Sequence, residues 1–203
     1  MSVAVAIRIP DEPSARAAVE VTDLLQRAGH TAYWAGGCVR DLLLGRMPLD
    51  FDIATDAVPD RIETLFPRVE WTGKSFGVCR VLHAGFAFEV ATFRTDLSYV
   101  DGRRPERVTF TDAPTDAQRR DFTINALFYD PRAGRLFDYV RGRADLADRV
   151  VRAVGDPAAR FREDHLRILR ALRFAARLEF AIEPETRRAL MEGAGQLTRI
   201  SPE

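Results

Sequence analysis

The chain has 203 residues, 46% of them hydrophobic and 30% charged. It is no disordered polymer, and it can bury a core in one large or two small domains. Thirty basic residues balance thirty acidic ones, which excludes binding to nucleic acid through a general positive coat. All but one of the basic residues are arginine, whose planar fork suits phosphates and base edges. Cys38 and Cys79 make neither a disulfide framework nor a ligand-spaced cluster, so a reduced, cytoplasmic protein without structural zinc is expected. The apolar stretch from Val3 to Ile9 is too short for a membrane span and lacks a full signal-peptide pattern, so neither export nor membrane insertion is expected.

In chain order, Pro13-Ser14 opens a helix whose apolar positions Ala18, Val21, Leu24 and Leu25 recur at helical spacing until Gly29 stops it. Thr31 to Trp34 is β-prone, Gly36-Gly37 turns the chain, and Val39 to Leu44 reads as a short helix ended by Gly45. Asp50 and Asp52 fall on an extended segment, Pro59 to Phe66 reads as a short helix, and Val69 to Thr72, Val78 to Leu82 and Phe86 to Phe93 read as strands. Together these predict a small mixed sheet. A polar, arginine-rich loop is expected from Thr95 to Thr115, followed by a helix that Asp116 caps and that runs through Phe128. Beyond Arg141 the pattern is mostly helical, with one long helix from Arg160 to Phe180, and the one plausible seam lies near Gly134 to Gly142. The fold class is α+β, with a mixed-sheet domain over residues 1–140 and a helical segment over residues 141–203.

The chemistry concentrates between Gly36 and Asp52. A glycine turn leading into a helix lets backbone approach a polyphosphate closely, and Arg40 adds a forked cation. On an extended strand, side chains at i and i+2 share a face about 6 to 7 Å apart, so Asp50 and Asp52 can converge on the same divalent ions. That is the requirement of two-metal phosphoryl transfer, with Mg2+ as the expected ion. Glu89 interrupts an apolar strand with a charge that is costly to bury unpaired, which makes it a candidate third carboxylate.

These residues carry a resemblance. Gly36-Gly37-Cys38-Val39-Arg40-Asp41, Leu43-Leu44-Gly45 and Asp50-Phe51-Asp52 with Thr55 resemble the signature of the class II tRNA CCA-adding enzymes and bacterial poly(A) polymerases. Arg119 to Leu127, reading Arg-Arg-Asp-Phe-Thr-Ile-Asn-Ala-Leu, resembles the second motif of that family. Glu163-Asp164-His165-Leu166-Arg167 with Arg170 and Arg173 resembles its nucleotide-selecting helix. Three matches in family order span residues 36 to 180.

The resemblance implies a polymerase-β-like nucleotidyltransferase head over residues 1–140 and a helical neck over 141–203. It assigns Glu89 and Arg94 to a family strand that supports the metals, and Arg120 to the triphosphate. Asp121 would organise the sugar, with Asn125 behind it. Asp164 and Arg167, as i and i+3 neighbours on one helix, would make Watson–Crick-like hydrogen bonds to cytosine or adenine, with Arg170 and Arg173 adding nucleotide contacts. Leu166, Leu169, Leu172, Phe174, Ala175 and Leu178 read as packing residues.

The implied activity is Mg2+-dependent, template-independent transfer of CMP and AMP from CTP and ATP to the 3′ end of tRNA. CC-adding, A-adding and poly(A)-polymerising members share these motifs. The loop around Arg94, Asp96, Tyr99, Arg103 and Arg104 resembles the flexible loop used in switching to the terminal adenosine, which favours full CCA or A addition. A catalytically idle nucleotide-binding module is the alternative from a different class. A Rossmann dehydrogenase is disfavoured because the third glycine and the acidic ribose partner are missing. Relatives continue into helical body and tail regions, whereas this chain stops at Glu203 with Ile200-Ser201-Pro202-Glu203 reading as an unfinished helix start; a truncated chain is therefore expected.

Overall fold

A computed structural model describes residues 2–4, 7–99, 102 and 105–199. Arg103 and Arg104 of the expected flexible loop, and Ile200 to Glu203, lie outside the described residues. The sheet is larger than the sequence pattern predicts, with eight strands: β1 (Ser2–Ala4), β2 (Ala32–Ala35), β3 (Asp52–Thr55), β4 (Val69–Gly73), β5 (Val78–His83), β6 (Phe86–Thr92), β9 (Leu127–Asp130) and β10 (Arg135–Asp138). Their spatial order is β1-β10-β9-β2-β3-β6-β5-β4. Every neighbouring pair is antiparallel except β3 with β6, where Ile53 stands opposite Val90 and Thr55 opposite Thr92. The sheet is therefore mixed, and its one parallel junction holds Asp52 and Glu89, two of the three candidate carboxylates.

Helix α1 (Pro13–Arg27) begins at a proline, whose fixed φ suits a first turn. It buries Ala15, Ala18, Val21 and Leu25 in the core that also holds Trp34, Phe51 and Ile53 of the sheet. Each large apolar side chain so removed from water contributes about 1.5–3 kcal/mol before entropy is counted. Leu24, predicted to share that stripe, is 40% exposed. Helix α2 (Gly37–Leu43) follows β2 directly, and α3 (Pro59–Leu65) again starts on proline.

Three expectations from the pattern are corrected. Residues 95–115 are not an irregular loop: β7 (Arg94–Tyr99) and β8 (Pro105–Phe110) pair as a separate antiparallel hairpin. The helix from Asp116 to Phe128 does not exist. Helix α4 (Ala113–Arg119) is capped by Asp112, whose carboxylate accepts the Thr115 N–H at 3.0 Å, because Pro114 sets the first turn there. The chain then extends at Arg120, makes a 3-10 turn over Thr123–Asn125 and enters β9. Leu127, Phe128 and Tyr129 are all buried, so this strand is covered on both faces and shows no alternation to separate it from a buried helix.

The third correction concerns the long helix. It is two helices, α6 (Pro157–Glu163) and α7 (Leu166–Leu178), broken at Asp164, which is extended at φ −144° and ψ 105°. Between β10 and α6 come α5 (Gly142–Ala147) and β11 (Val150–Val151); β11 pairs in parallel with β12 (Ala181–Ile182), and α8 (Pro184–Gly193) follows. Ile168, Ala171, Phe174 and Leu178 of α7 join the same core as Trp34 and Phe122. Leu169 and Leu172, read as packing residues, are 47% and 46% exposed. No helix among the described residues is long and apolar enough to cross a membrane.

Candidate active site

The glycine turn sits where β2 hands over to α2. Gly36 has φ +73°, a conformation that L side chains rarely adopt, and a β-carbon there would stand 3.3 Å from an Arg120 nitrogen. Glycine thus answers both backbone geometry and the close approach of Arg120. Gly36 and Gly37 line a cavity of about 480 Å3. Of the residues proposed from the sequence for metal or nucleotide, all but Asp50 line it: Arg40 from α2, Asp52 and Glu89 from the parallel junction, Arg120 and Asp121 after α4, and Asp164, Arg167, Arg170 and Arg173 from the broken helix.

Asp50 precedes β3, which starts at Asp52, and its side chain is exposed. The strand pleat therefore does not account for the pairing of the two aspartates. They still feel each other: burial first, then the charges of Glu89 and Asp50, push the Asp52 carboxyl up to about 7 against the opposing pull of Arg120. Glu89 lies one rung beyond the Ile53–Val90 pair, in a strand interior to the sheet, but its side chain is exposed, so the buried charge expected there is corrected: the residue faces the open cavity. No group of three His, Cys, Asp or Glu side chains forms a ready metal shell among the described residues. The donor set nevertheless fits Mg2+, which is commonly held by one or two carboxylates with substrate phosphates completing the shell. A buried carboxylate crowded by like charges is the kind of group a cation relieves.

Arg40 is 4% exposed. Its Nε and one terminal nitrogen reach Asp41 at 2.8 and 2.7 Å, its other terminal nitrogen donates to Asn125 at 2.6 Å, and its guanidinium lies 5.2 Å from the Phe174 ring centroid. These contacts tie α2 to the 3-10 turn and to α7. Asp121 accepts from the Phe122 N–H at 2.7 Å and from the Arg170 Nε at 2.8 Å, and Asn125 donates to it at 3.3 Å. The sequence therefore brings the glycine turn, the second motif and α7 into one hydrogen-bonded chain.

The expected Asp164–Arg167 helical pair does not form. Asp164 sits at the helix break, where its carboxylate accepts the Leu166 N–H at 2.9 Å and starts α7. Arg167 instead bonds Glu163 at 2.7 Å and the Arg119 carbonyl at 3.2 Å. Both still face the cavity, separately. Burial pushes the Asp164 carboxyl up, against the Leu166 N–H and the charges of Arg167 and Arg170.

Sequence reasoning missed Arg177 and Phe174 as lining residues. Their signal was available: Arg170, Arg173 and Arg177 recur at i, i+3 and i+7 on one helix face. Phe174 lies between them, with Arg170 and Arg173 guanidiniums 5.4 and 5.9 Å from its centroid. Arg173 and Arg177 have no carboxylate partner among the described residues, so this wall presents unneutralised positive charge to the cavity.

A mixed sheet with carboxylates at its parallel junction, a glycine turn beside them and an arginine-lined helix above them define a nucleotidyltransferase head. Residues 32–152 match the pattern of the poly(A) polymerase head domain, and the chain belongs to that family. It is 46% identical over 187 residues to the CCA-adding enzyme of Geobacillus sp. (strain WCH70), covering 92% of this chain and 46% of that one. The crystal structure of the Bacillus stearothermophilus CCA-adding enzyme in complex with CTP superposes with a TM-score of 0.84 at 41% identity, over 94% of this chain and 46% of that one. The Thermotoga maritima CCA-adding enzyme complexed with tRNA_CCA gives a TM-score of 0.75 at 28% identity, over 96% and 46%. The chain thus spans about half the length of these relatives.

Proposed function

We propose that this chain carries the catalytic head, over residues 1–140, and the nucleotide-selecting neck, over residues 141–203, of a template-independent nucleotidyltransferase. It adds CMP and AMP from CTP and ATP to the 3′ end of tRNA. The observation that carries this reading is one cavity lined by the glycine turn, Asp52 with Glu89, Arg120 with Asp121, and the arginine face of α7. A CTP-bound relative and a tRNA-bound relative, both named CCA-adding enzymes, support the substrate assignment. The free, buried thiols of Cys38 and Cys79 are in keeping with a reducing, cytoplasmic setting.

Roles follow from charge placement. Asp50 and Asp52 would hold Mg2+, with Glu89 beside them. The metal, when bound, supplies Lewis acidity toward the attacking 3′-hydroxyl and the departing pyrophosphate. Gly36 and Gly37 admit the triphosphate, and Arg120 binds it. Asp121, held by Arg170 and Asn125, orients the sugar. Asp164 and Arg167 present an acceptor and a donor fork to the base edge, and Arg173 adds positive charge. Arg40 is 4% exposed and bonded to Asp41 and Asn125, so its part is to brace the glycine turn against α7.

The test is incubation with labelled CTP and ATP, Mg2+ and tRNA lacking its 3′ CCA, resolved on a sequencing gel. Extension by CCA that is lost in Asp52→Ala is the expected result. Extension undiminished in Asp52→Ala would reject the metal assignment, CC-only, A-only or poly(A) products would each replace the proposed specificity, and nucleotide binding without transfer would leave an idle nucleotide-binding module.

A further inference from the structure

Asp116 belongs to none of the motifs above, and its local sequence reads as a helix cap. It is 1% exposed and does not line the cavity. One carboxylate oxygen accepts from Arg119 through Nε at 2.8 Å and a terminal nitrogen at 2.7 Å, and also from the Arg94 backbone N–H at 3.2 Å. The other oxygen accepts from Arg120 through Nε and a terminal nitrogen, both at 3.0 Å. One buried anion thus grips two adjacent guanidiniums side-on. Asp96 repeats the pattern nearby, accepting from Arg94 at 3.1 Å with Arg119 at 3.7 Å.

The charges are layered. Arg94, Arg119 and Arg120 all line the cavity, whereas Asp96 and Asp116 lie behind them and do not. Three positive charges in front of two negative ones leave a surplus facing the cavity, held at fixed positions. Arg120 is further aimed by the Phe128 ring, 4.7 Å from its guanidinium, and by the Asn125 carbonyl at 3.3 Å. Two free guanidiniums side by side would repel and swing apart; a shared carboxylate removes that cost and leaves the outer N–H groups of each fork for an anion. Burial pushes the Asp116 carboxyl up, but Arg120, Arg119 and the Arg94 N–H outweigh it and hold the group below the usual carboxylate range.

We propose that Asp116 is a positioning residue that sets Arg119 and Arg120 as one paired guanidinium surface for the phosphates of the bound nucleotide. The inference rests on the reading of the cavity as a nucleotide site. It adds Arg119 to the phosphate-binding set and gives Asp116 a role exerted through the two arginines.

The experiment is equilibrium dialysis of labelled CTP and labelled cytidine with Mg2+, on the wild-type chain, Asp116→Asn and Asp116→Glu. Asn keeps the shape but turns an N–H2 group toward one of the guanidiniums. CTP affinity is expected to fall at least tenfold in Asp116→Asn with cytidine affinity unchanged, and to recover in part in Asp116→Glu. Should Asp116→Asn fail to fold by circular dichroism, Asp116→Glu, which keeps the charge and both arginines but displaces the carboxylate, carries the comparison alone: CTP affinity is expected to fall severalfold with cytidine affinity unchanged. CTP affinity within twofold of wild type in a folded variant, or an equal loss for cytidine, would overturn the proposal. Absence of CTP binding by the wild-type chain would instead overturn the reading of the cavity, and this proposal with it.

Discussion

Asp52→Asn is expected to stabilise the metal-free chain while removing its ability to hold magnesium. The Asp52 carboxyl is raised from 3.8 to about 7 by burial and by Glu89 and Asp50. Between those two values the folded state keeps a proton that the unfolded state has released, so stability is greatest at low pH and falls as pH rises toward 7. A shift of about three units corresponds to about 4 kcal/mol at about 1.4 kcal/mol per unit. Solvent reaches part of the side chain, so about 2 kcal/mol is the working figure above neutrality. For a chain of this size that is about 4–8 °C in Tm.

Asparagine carries no charge to bury, so its variant should lack this loss. Thermal melts in EDTA should therefore place Asp52→Asn above wild type at about pH 8 and level with it below about pH 4. Adding Mg2+ with CTP at the higher pH should raise the wild-type Tm and leave the variant unmoved, since a ligand stabilises only the state that binds it. A variant less stable than wild type in EDTA at the higher pH, or a gap independent of pH, would refute the reasoning. Such a result would mean that the carboxylate is solvated and no more strained than an ordinary surface aspartate.

Two further outcomes separate structure from function beyond residue 140. A β-carbon at Gly142 would stand 2.1 Å from the Thr123 carbonyl oxygen, so Gly142→Ala must push α5 off the second motif; a loss of about 3 kcal/mol in urea titration is expected, and a loss under about 1 kcal/mol would show that α5 is free to shift. Asp164→Ser retains an oxygen able to accept the Leu166 N–H, so its Tm should stay near wild type. Its ratio of CTP to ATP incorporation should nevertheless change severalfold in single-nucleotide assays, and an unchanged ratio would remove Asp164 from base selection.

The family was legible because its motifs depend on short, local spacings. A strand, two glycines and a helix start need only neighbouring residues, and Gly36 indeed occupies positive φ where the turn requires it. The sheet beyond the parallel junction was less legible. β9 is buried on both faces, so Leu127 to Tyr129 show neither the period of a helix nor that of a half-exposed strand. The hairpin of β7 and β8 hid in a segment whose polar, half-exposed residues look like loop. The break at Asp164 was masked by flanking sequences that both favour helix, and only its own preference for capping over helix interiors hints at it.

Asp116 shows why the deepest layer of the site escapes such reading. Asp112 and Asp116 are each plausible caps by residue type, one turn apart. Pro114 favours Asp112, since its fixed φ suits the first turn of a helix that starts there. Asp116 is thereby placed in the first turn of the helix, which carries it into the interior, where a carboxylate is costly unless partnered. Its partners Arg119 and Arg120 are the next residues along the chain, at i+3 and i+4. The same arginines lead the second motif, so the spacing that looks like a solvated helix rim is, once buried, the spacing that locks two cavity-facing cations to one anion. What changes its meaning is burial, a property of the packed chain and not of the local sequence.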